Sequence, residues 1–449
     1  LIGPTIGGVL TDHASATWFG HYVAGWRWVF YANLPLGLIA LYMVSNKMPT
    51  LNTHQGGKID YLGAMILLIV FIPFLLALTW GGNRYAWNSP QLLSMFALSA
   101  VAFVAFIRVE SRASDAVMPL DLFQSRIFVF ANLSSFVLGM AFMGAVMFMP
   151  LYMQVVLGVD ATGSGFAMLP LMGGLMLTSI LSGRLVSRSG RYKAYMVGGV
   201  VILVCGMYLL TNLDVDSSLM QLNIAMAVVG LGLGPSQSLT NLIVQSAFPV
   251  SKIGVATSTT QFFRQVGNTV GVAIFGAVLV TSLAEELPKQ LPQMAGSATE
   301  FNMNQAQSMA MNPQSMQATV QAQFDAYTPL VERAFAGERA AAAELIANPL
   351  LPDELKAPLE NYLARDDVTE VPNAERYLTA YKAGIEQQVS AAVVTIKRGT
   401  RTAFANSINS MFFTSLWICL LGLIVTVFIP VIPLGTRDQE NNATSADVS

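Results

Sequence analysis

Apolar runs of about 18–25 residues recur along this chain between short polar stretches, and each is long enough to cross a hydrocarbon core of roughly 30 Å. The pattern predicts an all-α integral membrane protein. Complete spans fall near 27–45, 61–80, 90–108, 127–150, 164–186, 194–211, 219–247, 256–282 and 403–433, each bounded by polar ends. The opening stretch Leu1-Ile2-Gly3-Pro4-Thr5-Ile6-Gly7-Gly8 reads as the end of one more span, over residues 1–11. Without an initiator Met or a charged leader before it, the chain is expected to be an N-terminally truncated fragment.

Composition agrees with that class. Apolar residues make up 54% of the chain and charged residues 11%, with a mean hydropathy of +0.54, values outside the soluble globular range. Of 26 Asp and Glu, 15 lie within 284–398 and 11 elsewhere. Cys205 and Cys419 fall inside apolar runs and read as packing residues, not as a disulfide or metal pair. A net charge of −2 gives no indication of nucleic acid as a partner.

Basic residues orient the spans. One alternating set of short loops holds Lys47, Lys58, Arg108, Arg112, Arg126, Arg184, Arg188, Arg191, Lys193 and Lys252, and the opposite set holds Arg27 and Arg84. The first set is therefore expected in the cytoplasm, with the C-terminal tail 434–449 on the same side and 284–398 outside. Within that outer segment, Met303 to Gln323 is rich in Gln, Met, Asn and Ala. Three helical patches follow, Pro329–Ala347, Asp353–Arg365 and Ala374–Ile396, and the last can run directly into the final span. The composition reads most simply as a solvated cap or partly disordered loop. Its Met-rich helices leave open a contact with a periplasmic adaptor protein.

Four strings resemble the major facilitator superfamily, specifically the fourteen-span drug:proton antiporters of the EmrB/QacA type. Gly3-Pro4-Thr5-Ile6-Gly7-Gly8 resembles the antiporter signature that ends their fifth span. Trp26-Arg27-Trp28-Val29-Phe30-Tyr31-Ala32-Asn33-Leu34-Pro35-Leu36-Gly37 resembles the start of their sixth. Gly183-Arg184-Leu185-Val186-Ser187-Arg188-Ser189-Gly190-Arg191 is similar to a second copy of the superfamily's cytoplasmic loop motif, with Ser187 where the motif usually has Asp. Phe263-Arg264-Gln265-Val266-Gly267-Asn268 is similar to the thirteenth span. The resemblance implies that 1–45 ends an N-terminal half (spans five and six) and that 46–126 is an extra central helix pair with a cytoplasmic linker. By it, 127–283 holds spans nine to thirteen, 284–398 is an extracytoplasmic loop, 399–433 is the last span and 434–449 the tail. It further implies proton-coupled efflux of drugs or other amphipathic small molecules by alternating access, in the inner (plasma) membrane. Export of one endogenous metabolite on the same fold is the alternative.

The candidate chemistry is polar side chains in apolar helices. Gln237, Asn241 and Gln245 recur at i, i+4, i+8 on one helix face, and Gln261, Arg264, Gln265 and Asn268 at i, i+3, i+4, i+7 on the next. Polar groups are costly in lipid, so both stripes are expected to face the bundle interior or a water-filled cavity, where they bind substrate or glue helices together. Arg264 either lines the cavity or snorkels to the surface. Met140, Met143 and Met147, and Met168, Met172 and Met176, form two stripes that serve either ordinary packing or an adaptable pocket, with Phe136 beside them. Gly3, Pro4, Gly7 and Gly8 permit close helix approach and a kink.

No complete span carries a central Asp or Glu, so the proton-coupling carboxylates are expected upstream of residue 1. His13 and His21 share one outer loop with Asp12, which is too little for a metal site. No phosphate loop, nucleophile constellation or cofactor motif is present. No cofactor is expected, and neither is an enzyme.

Overall fold

The computed structural model describes residues 3–18, 21–47, 60–82, 84–113, 116–290, 328–346, 353–365, 371 and 374–431. The Met303 to Gln323 stretch, the tail 434–449, Leu1, Ile2 and Lys58 lie outside the described residues. Among those described, nine helical stretches are long and apolar enough to cross a membrane.

Helix α1 (Gly3–His13) leads into a short antiparallel pair, β1 (Ala16–Trp18) and β2 (His21–Val23), with Thr17 opposite Tyr22. Next come α2 (Gly25–Tyr31) and α3 (Asn33–Lys47), the hairpin α4 (Tyr61–Trp80) and α5 (Pro90–Glu110), and a 3-10 turn at Leu120–Gln124. Helix α6 (Arg126–Leu151) continues as a π turn over Tyr152–Val156, just after Pro150, whose missing N–H breaks the regular ladder. Five more follow: α7 (Ala161–Ala167), α8 (Leu169–Ser189), α9 (Tyr192–Leu210), α10 (Leu219–Ala247) and α11 (Val250–Gln290).

Local sequence sets the boundaries. Asp60 caps α4 by accepting from the Gly63 N–H at 2.8 Å, and Asp160 does the same for α7 at Gly163. Ser218 and Gln221 form a reciprocal capping box at the start of α10. Gly190 stops α8 in the left-handed region, at φ 66°, which an L side chain adopts only under strain.

The chain divides into two compact units, Leu1–Ser282 with Ser407–Ser449, and Leu283–Asn406. In the first, glycines let helices meet backbone to backbone. A Cβ on Gly230 would sit 2.1 Å from the Leu171 carbonyl oxygen, and one on Gly232 would sit 2.3 Å from the Leu203 nitrogen. Helix α10 is thereby wedged between α8 and α9. The α6–α11 crossing is equally close, with Gly267 against the Phe136 carbonyl and Gly271 against that of Met140. The hairpin α4–α5 is tied internally by Ser99 Oγ donating to the Val70 carbonyl at 2.7 Å. It packs on α11 through Phe71 and Phe262, edge to face at 4.7 Å.

The second unit holds α12 (residues 328–335), α13 (Arg339–Ile346), α14 (Asp353–Leu363) and the first part of α15 (Ala374–Val427). Val331, Phe335, Ala342, Leu345, Leu359 and Tyr362 are buried together there. The Tyr362 hydroxyl donates to the Gly337 carbonyl at 2.6 Å, and Arg339 Nη2 donates to that of Leu363 at 2.9 Å. This part is thus more ordered than a solvated loop: few apolar residues are enough for a core when they recur at helical spacing.

Helix α11 starts at Val250, six residues before the expected 256, while α15 runs unbroken for 54 residues, the continuation into the final span that the sequence allowed. Hydropathy marks only the apolar middle of a helix, and polar ends continue the same hydrogen-bond ladder.

Candidate functional site

Helices α6, α10 and α11 border a small half-open cleft lined by Ser135, Leu138, Leu233, Ser236, Gln237, Thr240 and Arg264.

Arg264 is the only charged side chain in the lining. It sits fourteen residues after the start of α11, about 21 Å along the axis at 1.5 Å per residue. Its guanidinium turns sideways: Nη1 donates to Gln237 Oε1 of α10 at 2.6 Å, and Nη2 donates to Gln261 Oε1 on its own helix. Both partners are neutral amides, and no ion pair reaches it among the described residues. A half-buried arginine held by amides keeps its full positive charge available to an incoming anionic or electron-rich group. The Ser236 hydroxyl in the same lining, and Asn241 Oδ1 further along α10, are buried without a hydrogen-bond partner among the described residues.

The other expected residues separate from this cleft. Asn268, with its amide oriented as its neighbours dictate, donates to the carbonyls of Gly139 at 3.0 Å and Arg264 at 3.3 Å, which seals the α6–α11 crossing. Gln265 is exposed and Gln245 half-buried. Phe136 is half-buried, its carbonyl pressed on Gly267. Along the first methionine stripe burial falls steadily, from Met140 (8% exposed) through Met143 to Met147 (55%). The second runs from Met168 (2%) through Met172 to Met176 (45%). Neither stripe lines the cleft. Sequence reasoning missed Ser135, Ser236 and Thr240. The signal for the last two was present, since Ser236 precedes Gln237 and Thr240 follows one turn later on α10.

A second constellation lies where α1 meets α7. A Cβ on Gly8 would sit 2.3 Å from the Ala161 carbonyl, and one on Gly165 2.5 Å from the Pro4 carbonyl. Thr5 Oγ1 donates to the Gly165 carbonyl at 3.2 Å. At the end of the seam, Asp12 Oδ2 accepts from both the Thr162 N–H at 2.6 Å and its hydroxyl at 2.7 Å. Gly8, Pro4 and Thr5 therefore lie in the contact, whereas Gly3 has open space around it and Gly7 only Val29 at 4.0 Å. Gly25 of α2 presses on the Thr11 carbonyl, where a Cβ would come within 2.3 Å, so the Trp26 string is anchored on α1. In the loop motif, Arg184, Arg188 and Arg191 are exposed, and among the described residues none forms an ion pair. Gly183 has open space around it, and Gly190 is the α8 stop already described.

A multi-pass helical bundle with a glycine-lined seam and a polar cleft between helices defines a transporter-type membrane protein. The chain belongs to the Major Facilitator Superfamily, whose profile matches residues 1–272 and whose members are transporters, not enzymes. It is 30% identical over 447 residues to the Multidrug transporter protein MdtP of Bacillus subtilis, covering 98% of this chain and 69% of that relative. Multidrug resistance protein 3 of the same organism is 32% identical over 298 residues, covering 66% and 56%. An uncharacterised MFS-type transporter of Mycobacterium tuberculosis is 36% identical over 289 residues, covering 64% and 41%. The chain thus spans about half the length of the latter two relatives.

Proposed function

We propose that this chain carries the C-terminal transport machinery of a fourteen-span, proton-coupled exporter of drug-like amphipathic molecules. Substrate enters the cleft between α6, α10 and α11, where Leu138 and Leu233 supply apolar contact. Gln237, Ser236 and Arg264 hold polar or anionic groups. The two halves alternate access by rocking, and the α1–α7 seam closes one side. The single observation that carries this reading is Arg264, turned into the cleft and held by Gln237 and Gln261 with no carboxylate partner among the described residues. Two relatives named for multidrug transport or resistance support the substrate class. The positive-inside count supports an inner-membrane orientation with Arg184, Arg188, Arg191 and the C-terminal tail in the cytoplasm, and with 284–398 outside, where an adaptor could reach it.

The test is dye and drug accumulation in cells lacking their main efflux pumps and expressing the gene for this chain, with and without a proton uncoupler. Uncoupler-sensitive extrusion that Arg264→Ala abolishes is the expected result. Extrusion that survives that substitution returns Arg264 to a surface-seeking role. No extrusion of any compound, with expression in the membrane verified, overturns the multidrug reading and leaves export of a single metabolite.

A further inference from the structure

The open end of the α4–α5 hairpin holds two carboxyl groups that the transport reading does not use. Glu110, the last residue of α5, is 3% exposed. Its Oε1 accepts from the Met118 N–H in the segment leading to the 3-10 turn. Asp60, the cap of α4, spends Oδ1 in the same way on the Gly63 N–H at 2.8 Å. The remaining oxygens, Glu110 Oε2 and Asp60 Oδ2, are both buried and both without a hydrogen-bond partner among the described residues. They converge on one point. A Cβ on Gly63 would lie 2.2 Å from Asp60 Oδ2 and 2.9 Å from Glu110 Oε2, which bounds their separation at 5.1 Å (2.2 plus 2.9).

Two ionised carboxylates within that distance, shielded from water and without a cation among the described residues, repel strongly. The charged and titratable groups around the hairpin do not relieve this. Tyr61 on α4 is 71% exposed, and Arg108 and Arg112 are exposed and form no ion pair among the described residues. Asp121 on the 3-10 turn pairs with Lys252. Helix α11 offers Phe262 and Phe263, and the linker offers Met118 and Phe123. Lys58 and Asp115 flank the pair in sequence and lie outside the described residues.

We propose that Asp60 and Glu110 form a proton-binding pair that holds one proton between Asp60 Oδ2 and Glu110 Oε2. One proton satisfies both orphan oxygens at once: it is bonded to one and donated to the other, and the pair carries a single negative charge. The other two oxygens stay on backbone N–H groups, so the proton also determines how firmly Met118, and with it the linker, is docked on the hairpin. That contact continues through Phe123, Phe262 and Phe263 into α11. The site is thus a proton-dependent latch between the central helix pair and a wall of the transport cleft. It does not depend on which compound is exported, nor on export being proton-driven.

The test uses the purified full chain in lipid nanodiscs, as wild type, Asp60→Asn and Glu110→Gln. Asn keeps the helix cap, Gln keeps the acceptor for Met118, and each amide can donate to the remaining carboxylate as the shared proton does. Infrared spectra of the wild type are expected to show the carbonyl band of a protonated carboxyl group at neutral pH, absent from both variants. A wild type with no such band at neutral pH overturns the proposal, and so does a band shared by all three proteins. Stabilisation of the wild type by sodium, magnesium or calcium, lost in both variants, makes the ligand a metal cation and overturns it equally.

Discussion

The span ending in α3 and the span formed by α10 are nearly equal in hydropathy, yet no residue of α3 is buried and fourteen of the 29 in α10 are. Leu34, Leu36, Leu38 and Leu41 of α3 are each at least 64% exposed, while Leu222, Leu233 and Leu239 of α10 are at most 1% exposed. Apolarity decides whether a helix enters a bilayer, because lipid and leucine are equally good company. What places α10 between α8 and α9 is the absence of side chains in Gly230-Leu231-Gly232-Leu233-Gly234, which lets neighbouring backbones approach.

The sharpest way to break that comparison is to put bulk where α10 has none. Gly230→Leu must displace the α8 backbone at Leu171, and about 3 kcal/mol or more of stability should be lost. Thermal unfolding monitored by size-exclusion fluorescence would show little folded protein. Gly232→Ala is milder, about 1–3 kcal/mol. Gly37→Ala in α3 meets nothing within 4 Å and should change stability by less than about 1 kcal/mol, in the stabilising direction. An equal loss at Gly37 and Gly232 would show that buried backbone contact is not what separates these helices.

Among the polar groups, Arg264→Ala removes hydrogen bonds from a charged donor, worth about 1.5–3 kcal/mol. It should cut extrusion at least tenfold in the accumulation assay while leaving the melting temperature nearer wild type than Gly230→Leu does. Asp12→Asn keeps one acceptor for Thr162 and should cost about 1 kcal/mol, read as a small drop in melting temperature. Weakest of all is the surface pair in the second unit. The hydrogen bond from Arg333 holds the Glu338 carboxyl below its ordinary value. Its stabilisation is therefore present at neutral pH and lost as pH falls through the depressed value. The melting difference between wild type and Glu338→Gln, slight at pH 7, should vanish in acid.

Much of this was legible in the sequence. A bilayer demands about twenty apolar residues per crossing, and the nine spans follow from that. The stripe rule joined Arg264, Gln261 and Gln237 because polar groups inside apolar helices must find one another. Asp60 was readable as a helix start. Glu110 was not readable as its companion: an acid ending an apolar run usually meets water, and this one is buried only because the hairpin closes and Met118 folds back over it. The methionine stripes were readable as stripes, but their spacing does not say which of their residues are buried, and Met147 and Met176 are exposed.

The Asp12–Thr162 clasp has a consequence for time. On the proposed alternating-access reading the seam parts once in every transport cycle, and each 1.4 kcal/mol of added grip then slows that step about tenfold. On that reading, two short hydrogen bonds on one carboxylate oxygen work as an escapement. They would not choose the cargo but would set how often the door can swing, so that a tighter clasp makes a more stable protein and a slower pump.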